Sequence, residues 1–172
     1  MSGREFSKVS PAVWRSARFA DLSDRGKIAF LYFATNTHVT SAGCYVLPDG
    51  YACADLGWTL DTYQAIRAEV ASAGMIDFDG DMILVERWFR HNAPMNDKHA
   101  KGTAALIAEI ESDRLREKTA DAFNEADQQR MERQAAKATE RATEQSRREI
   151  ASLTRSSGDR LTNTRFMRGM AG

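Results

Sequence analysis

The stretch that decides the fold is GCYVLPDGYACADLGWTLDTYQAIRAEVASAGMIDFDGDMILV, residues 43–85. Residues 44–47 form a short apolar run that is typical of a buried strand. A proline follows at once and favours the first turn of a helix over residues 49–56. Residues 56–59, Leu-Gly-Trp-Thr, indicate a tight turn, and their threonine caps a second helix. That helix is expected to end at Gly74, a residue type that terminates helices.

A hairpin completes the pattern. Asp79-Gly80 suits a type I′ turn between strands over residues 75–78 and 82–85. Upstream, Ser10-Pro11 begins one helix, and Ser23 caps a second, strongly apolar one over residues 25–34. The residues expected to face inward from the predicted helices include Ile28, Tyr51 and Leu60. The order of elements predicts a winged helix-turn-helix domain, mainly α with a small β-hairpin, a module that usually lays one helix in the DNA major groove. Its expected core includes Trp14, Leu31, Tyr45, Leu56, Ile66 and Val85.

The remainder of the 172-residue chain is predicted to be a long helical extension with a disordered basic tail. Residues 91–98 are polar and without period, so a loop is expected there. Residues 103–152 contain neither Pro nor Gly and favour a helix throughout. We therefore predict a domain at 1–103, a helical extension at 104–152 and a disordered tail at 153–172, where arginines outnumber acidic residues.

The extension has two interpretations, because its apolar residues become sparse after Phe123. It is either a solvated spacer or an interaction helix that pairs with a partner, including a second copy in a homo-oligomer. The residues expected to make such a contact are Leu106, Ile107, Ile110, Leu115, Phe123 and Met131.

Composition places limits on the function. Lys and Arg number 24 and Asp and Glu number 24, so net charge gives no argument for nucleic acid. Cys44 and Cys53 lie in apolar segments, which indicates buried thiols in a reducing cytoplasm. No apolar run is long enough to span a membrane.

The spacings of Cys44, Cys53, His91 and His99 do not suit zinc. No phosphate loop, HExxH motif or nucleophile context occurs, so we expect no enzyme, no metal and no cofactor.

Several blocks of residues 8–103 resemble a known family. They are Val9-Ser10-Pro11 with Trp14, Leu22-Ser23 with Lys27 and Leu31-Tyr32, Gly43-Cys44-Tyr45 with Leu47-Pro48, Asp55-Leu56-Gly57-Trp58, and the loop from Arg90 to Asn96 with Lys101-Gly102. Together these blocks resemble bacteriophage replisome-organiser or DnaD-like replication proteins with an N-terminal winged helix. The resemblance implies origin binding, oligomer formation and recruitment of a replicative helicase or helicase loader. The C-terminal part lacks the Tyr-x-x-x-Ile-x-x-x-Trp signature of the DnaD C-terminal module.

The predicted partner is double-stranded DNA, although the expected recognition helix is poor in cations. Thr62 and Gln64 are candidates for reading base edges, whereas Asp61 and Glu69 are expected to repel phosphates. Because phosphate neutralisation supplies most non-specific affinity, most of the affinity is assigned to cations outside this helix. The candidate DNA-binding residues are Arg25, Lys27, Thr59, Thr62, Gln64, Arg67, Arg87, Arg90, Asn92, Asn96, Lys98 and Lys101.

Two further observations keep alternatives open. The hairpin tip carries Asp77, Asp79 and Asp81, an acidic turn that argues against insertion of the wing into a minor groove and is expected to be solvated. The same module also occurs in transcriptional regulators and in adaptors that dock proteins without reading DNA. The sequence therefore favours a DNA-binding role in replication initiation, with these two functions as alternatives.

Overall fold

The computed structural model of this chain describes residues 7–162, with side chains as far as residue 152. A 3-10 turn at Pro11–Arg15 comes first. The α-helices are α1 (Ala17–Ala20), α2 (Asp24–Thr35), α3 (Asp49–Leu56), α4 (Leu60–Ser72), α5 (Trp88–Asn92), α6 (Asp97–Ala108) and α7 (Asp113–Thr162), and the strands are β1 (Cys44–Val46), β2 (Ile76–Asp79) and β3 (Met82–Val85). The prediction of a mainly helical protein with a small β-sheet and a helical extension is confirmed.

The three strands form one antiparallel sheet in the order β1-β3-β2. Tyr45 pairs with Ile83 on one side of β3, and Phe78 pairs with Ile83 on the other. All four residues of β3 are buried, so side chains on both faces of this central strand are covered. That burial explains why the apolar alternation of this segment is blurred in the sequence.

The hairpin turn differs in type from the prediction. Asp79 pairs with Met82, so Gly80 and Asp81 are the two loop residues. Gly80 has a φ of 56°, and Asp81 does not share its positive φ. A positive φ at the first loop residue alone is the pattern of a type II′ turn rather than the predicted type I′.

Side-chain caps begin several of the helices. Ser10, Ser23 and Thr59 accept hydrogen bonds from the backbone N–H groups of Ala12, Gly26 and Thr62, as the sequence predicts. Asn96 caps α6 in the same way by accepting from the N–H of His99.

The predicted loop over residues 91–98 is wrong in part, because α5 extends to Asn92 and α6 already begins at Asp97. Ala100, Thr103 and Ile107 give α6 a buried face at helical spacing. The single predicted helix is also interrupted between Ala108 and Asp113, where Ser112 Oγ accepts from the N–H of Leu115.

The predicted core is right in part. Tyr45 and Val85 are buried, while Leu31, Leu56 and Ile66 are half-buried against the core. Trp14 is 65% exposed, which contradicts its predicted place. Phe19 occupies the core instead, because the chain forms a 3-10 turn and a separate short helix where one continuous helix was expected. The Trp14 ring rests edge-on against that of Phe19, with 5.2 Å between centroids.

The buried face of α2 is rotated from the predicted one. Ile28 was expected to face inward but is exposed, whereas Ala29 and Phe33 are completely buried. Tyr51 and Leu60, also expected to face inward, are exposed on α3 and α4. In each helix the amphipathic stripe is wide enough to permit more than one phase.

The compact unit continues beyond residue 103 and ends at Arg130. Ile107, Ile110, Leu115 and Phe123 all belong to the same buried cluster as the sheet and the first helices. The second unit begins at Met131, and every side chain from there to residue 152 is exposed. Helix α7 extends to Thr162 and so includes residues 153–162 of the predicted tail. The remainder of that tail lies outside the described residues.

Candidate nucleic-acid interface

The expected recognition helix, α4, presents an exposed face with little charge. This face consists of Leu60, Asp61, Gln64, Ala65 and Ala68, which recur at helical spacing and are all exposed. Every residue of α4 is described, and the charged side chain on this face is an acid, Asp61. Such a face offers no cation that could neutralise a phosphate.

Arg67, the cation of α4 predicted to contact DNA, is turned inward. Its side chain is 11% exposed, and its Nη1 lies 2.7 Å from Oδ1 of Asp49 at the start of α3. The guanidinium also lies over the ring of Phe78, 4.5 Å from the centroid, and 5.4 Å from that of Tyr63. Burial raises the pKa of Tyr63 to about 12, although the neighbouring Arg67 acts in the opposite direction. Arg67 therefore joins α3, α4 and β2 and is withdrawn from solvent.

The polar residues expected to read bases already have partners within the protein. Gln64 Nε2 donates to Oδ2 of Asp49 at 2.9 Å. Thr59 Oγ1, which caps the helix, also donates to Thr62 Oγ1 at 2.9 Å. Because Gln64 is exposed, its bond can exchange for one to a ligand. The two threonines instead stabilise the beginning of α4.

Glu69 does not face outward as expected. Its Oε1 accepts from the N–H of Ser23 at 2.6 Å, and its Oε2 accepts from the Ser23 hydroxyl at 2.9 Å. A Cβ on Gly26 would lie 2.7 Å from the same carboxylate, so the glycine makes room for this contact. Glu69 thereby stabilises the beginning of α2. It is therefore not placed to repel DNA phosphates as expected.

The two candidate cations of α2 differ in accessibility. Arg25 is exposed, and its guanidinium lies 6.0 Å from the ring centroid of Trp58, in the turn before α4. Lys27 is 29% exposed and lies 3.9 Å from Asp24. The cation–π distance is at the limit of a useful interaction, so Arg25 remains available to a ligand.

Four candidate cations remain accessible after the hairpin: Arg87, Arg90, Lys98 and Lys101, hereafter the basic edge. All four are exposed, and none makes an ion pair with another described residue. They lie on α5, on α6 and at the N-cap of α5. Both helices are anchored at Ser41, whose carbonyl accepts from Trp88 Nε1 and whose hydroxyl accepts from Thr103 Oγ1.

The remaining candidates of this segment serve the fold. Asn96 caps α6, and Asn92 is half-buried at the end of α5. Arg87 has a φ of 57°, the left-handed backbone that residues with a side chain rarely adopt. This conformation separates β3 from α5 and lets Trp88 enter the core.

Neighbouring acids are neutralised by residues that the sequence did not single out. Lys118 Nζ pairs with Glu86 and, at 2.9 Å, with Asp77, while Arg130 Nη1 lies 2.8 Å from Asp97. Lys118 and Arg130 belong to α7, which the sequence presents as a uniform polar helix. The sequence pattern of α7 does not indicate that these two cations pair with acids that lie 32 or more positions earlier in the chain.

The acidic hairpin is clamped by the beginning of α7 and is not merely solvated, as was expected. Arg114 lies 2.7 Å from Asp77 and donates to the carbonyl of Phe78. Ser112 Oγ donates to Asp79 at 2.6 Å. Partial burial of Asp77 tends to raise its pKa. The hydrogen bonds from Arg114 and Lys118 outweigh that effect and hold the pKa below its ordinary value. We call this set of contacts the hairpin clamp.

The predicted interaction helix has most of its apolar residues inside the protein. Ile107, Ile110, Leu115 and Phe123 are buried in this chain's own core and are not available to a partner. The remaining two, Leu106 and Met131, are 38% and 52% exposed. The sequence did not separate the two groups, because both share one helical stripe.

Residues 7–152 hold no group of three or more His, Cys, Asp or Glu side chains that could bind a metal ion. Cys44 and Cys53 are both free, and burial raises the pKa of the Cys44 thiol to about 11. Within residues 7–162, each helix is too short or too polar to cross a lipid bilayer.

Comparison of the chain with protein-family models, with curated proteins and with solved structures finds no match.

Proposed function

We propose that this chain is a DNA-binding protein that holds duplex DNA through the basic edge. The observation that carries the proposal is that its four cations are exposed and unpaired among the described residues, while nearby Glu86 and Asp97 are neutralised. The order helix, strand, helix, helix, hairpin supports it, since winged helix-turn-helix domains have this order. The replication role rests on the sequence resemblance.

The charge distribution favours contact with phosphates over contact with bases. Each neutralised phosphate releases counterions, so the slope of log affinity against log salt is about −0.9 per contact. Four contacts give a slope of about −3.6. The exposed face of α4 offers Gln64 as its base-reading group, so weak discrimination between DNA sequences is expected.

The test is a gel-shift or anisotropy titration of full-length protein with a duplex at several salt concentrations. Alanine at Arg87, Arg90, Lys98 and Lys101 together should abolish most binding and flatten the salt slope. Alanine at Gln64 should have a much smaller effect.

A matched control removes four cations from the exposed helix of the second unit, at Arg133, Lys137, Arg141 and Arg147. This variant should retain most of the affinity. An equal loss of DNA affinity in both quadruple variants would show that the position of the cations does not matter for binding. That result would contradict the assignment of the DNA contact to the basic edge. A larger loss from Gln64→Ala would show that α4 dominates the interface.

A second candidate function, an adaptor that docks a protein, is favoured by the exposed face of α4. Leu60 is 49% exposed and Tyr51 of α3 is 59% exposed, alongside small apolar Ala65 and Ala68. A face with these apolar residues, whose charged side chain is the acid Asp61, suits a protein surface better than phosphates. If the full-length protein fails to bind duplex DNA at low salt, the adaptor becomes the better interpretation.

Within the replication proposal, the partners are an origin, further copies of the chain and a replicative helicase or its loader. Light scattering of the full-length protein measures the oligomeric state. Size-exclusion chromatography with a purified replicative helicase tests recruitment. A protein that binds one operator and ignores the helicase would instead be a transcriptional regulator.

A further inference from the structure

A cavity of about 280 Å³ lies beside the basic edge. Its walls come from the 3-10 turn, from α2, and from the segment that joins β3 to α5. Val13, Phe30 and Val85 make part of the wall apolar. Phe30 is half-buried, and its ring contacts that of Phe19 edge-on with 5.8 Å between centroids. The volume is near the lower limit for small-molecule sites, which suits one flat group rather than a helix.

The lining of this cavity is rich in positive charge. Lys8, Arg87 and Arg90 line it and are exposed, and Arg18 lines it while donating to the carbonyl of Gly74 at 2.6 Å. The acidic lining residue, Glu86, is engaged by Lys118. An apolar recess with a cationic lining selects a ligand that combines a flat apolar group with a negative charge.

We propose that this cavity binds one unpaired nucleotide of single-stranded DNA, with its base against Phe30 and its phosphate at Arg87 and Arg90. The inference rests on the proposed function for the choice of nucleic acid as ligand. A nucleic-acid strand carries one phosphate beside each flat base, which is the alternation that the cavity and the basic edge present together. An acidic peptide is less suited, because its charges need not stand next to aromatic groups. Base stacking and a cationic track are the usual means of holding single strands.

The first test compares a fluorescein-labelled oligothymidine strand with its duplex in anisotropy titrations. Phe30→Leu keeps an apolar side chain but removes the aromatic ring. It should weaken binding of the single strand about fivefold or more and leave duplex affinity unchanged. Equal weakening of both ligands, or of neither, would overturn the proposal.

A second variant keeps the proposal testable if Phe30→Leu impairs folding. Ala12 lines the cavity, is exposed, and belongs to the 3-10 turn, so Ala12→Glu adds a negative charge there without burying it. It should weaken single-strand binding, whereas the matched Ala65→Glu on the exposed face of α4 should not. Thermal melting of both variants should match that of the unaltered protein.

The remaining outcomes separate this proposal from the proposed function. Absence of duplex binding in the unaltered protein refutes the proposed function. If neither Phe30→Leu nor Ala12→Glu changes single-strand binding, the cavity is not the nucleotide site, and the proposed function is unaffected. If an acidic peptide containing phenylalanine displaces the strand and depends on the same two residues, the cavity belongs to a protein partner and the nucleotide assignment is wrong.

Discussion

Removal of residues 104–172 should unfold the compact unit, even though this cut leaves every described strand and helices α1 to α5 in place. The cut deletes four buried apolar side chains, those of Ile107, Ile110, Leu115 and Phe123. Each contributes about 1.5–3 kcal/mol when buried, so the loss is about 6–12 kcal/mol. The whole stability of a domain is about 5–15 kcal/mol, and a loss of this size removes most of it.

The matched control ends the chain at residue 130, where the compact unit ends. That fragment keeps all four buried side chains and the ion pairs of Arg130 with Asp97 and Asp127. Its thermal and urea transitions, followed by circular dichroism, should match those of the full-length protein. The residues it loses have exposed side chains as far as residue 152.

A cooperative transition for 1–103 within a few degrees of that for 1–130 would refute the reasoning. It would mean that α6 and α7 cover the core without stabilising it. A pair of point variants gives an independent check. Leu115→Ala, at a completely buried position, should cost about 2–5 kcal/mol, whereas Leu106→Ala should cost about 0.5 kcal/mol.

Further predictions concern particular contacts. Asp77→Asn should lower stability at about pH 7. This effect should fade as pH falls below 3.8 and through the folded pKa, because the folded pKa lies below the ordinary value of 3.8. Urea unfolding at a series of decreasing pH values measures this. Asp49→Ala should cost about 2–3 kcal/mol, somewhat less than for a fully buried pair, since it leaves the Arg67 guanidinium without its carboxylate. Gly43→Ala should cost about 2–5 kcal/mol in a thermal melt, because φ is +69° and a Cβ would lie 2.2 Å from Cγ of Trp88.

Each of these predictions has a contrasting variant. Asp81→Asn, at an exposed acid of the same hairpin, should change stability at about pH 7 by less than about 0.5 kcal/mol. Asp61→Ala removes an exposed acid of α4 and should change stability by less than about 0.5 kcal/mol. Gly57→Ala, with a φ of +67° but open space around it, should cost only about 1–2 kcal/mol. An equal cost at both glycines would show that the contact with Trp88 is unimportant.

Much of the fold could be predicted because its signals are local. Thr59 caps α4, and the bounds of α3 agree with the prediction, since caps and turns depend on neighbouring residues. The phase of α2 could not be predicted, because Ile28 and Phe33 are both apolar and only tertiary packing selects between them. Trp14 misleads for a similar reason: a large aromatic favours a core position, but Phe19 occupies it.

The candidate site was less predictable than the fold. The exposure of Arg87 and Arg90 agrees with their charge, since charged side chains stay in solvent while the apolar Trp88 and Phe89 between them are buried. The withdrawal of Arg67 depends on Asp49, 18 positions earlier, and on the ring of Phe78. Such pairings reflect three-dimensional proximity, and no periodicity in a single sequence encodes them.

The hairpin clamp has a consequence for the order in which a growing chain can fold. The strands are complete once Val85 has been synthesised, yet Ser112, which binds Asp79, lies 33 residues after that aspartate in the chain. Lys118 lies 41 residues after its partner Asp77. Until then the nascent hairpin carries uncompensated negative charge and an uncovered β2 edge. Synthesis proceeds at about 5–20 residues per second, so this interval lasts a few seconds. The vulnerable period of this protein therefore falls during translation, before α7 has left the ribosome.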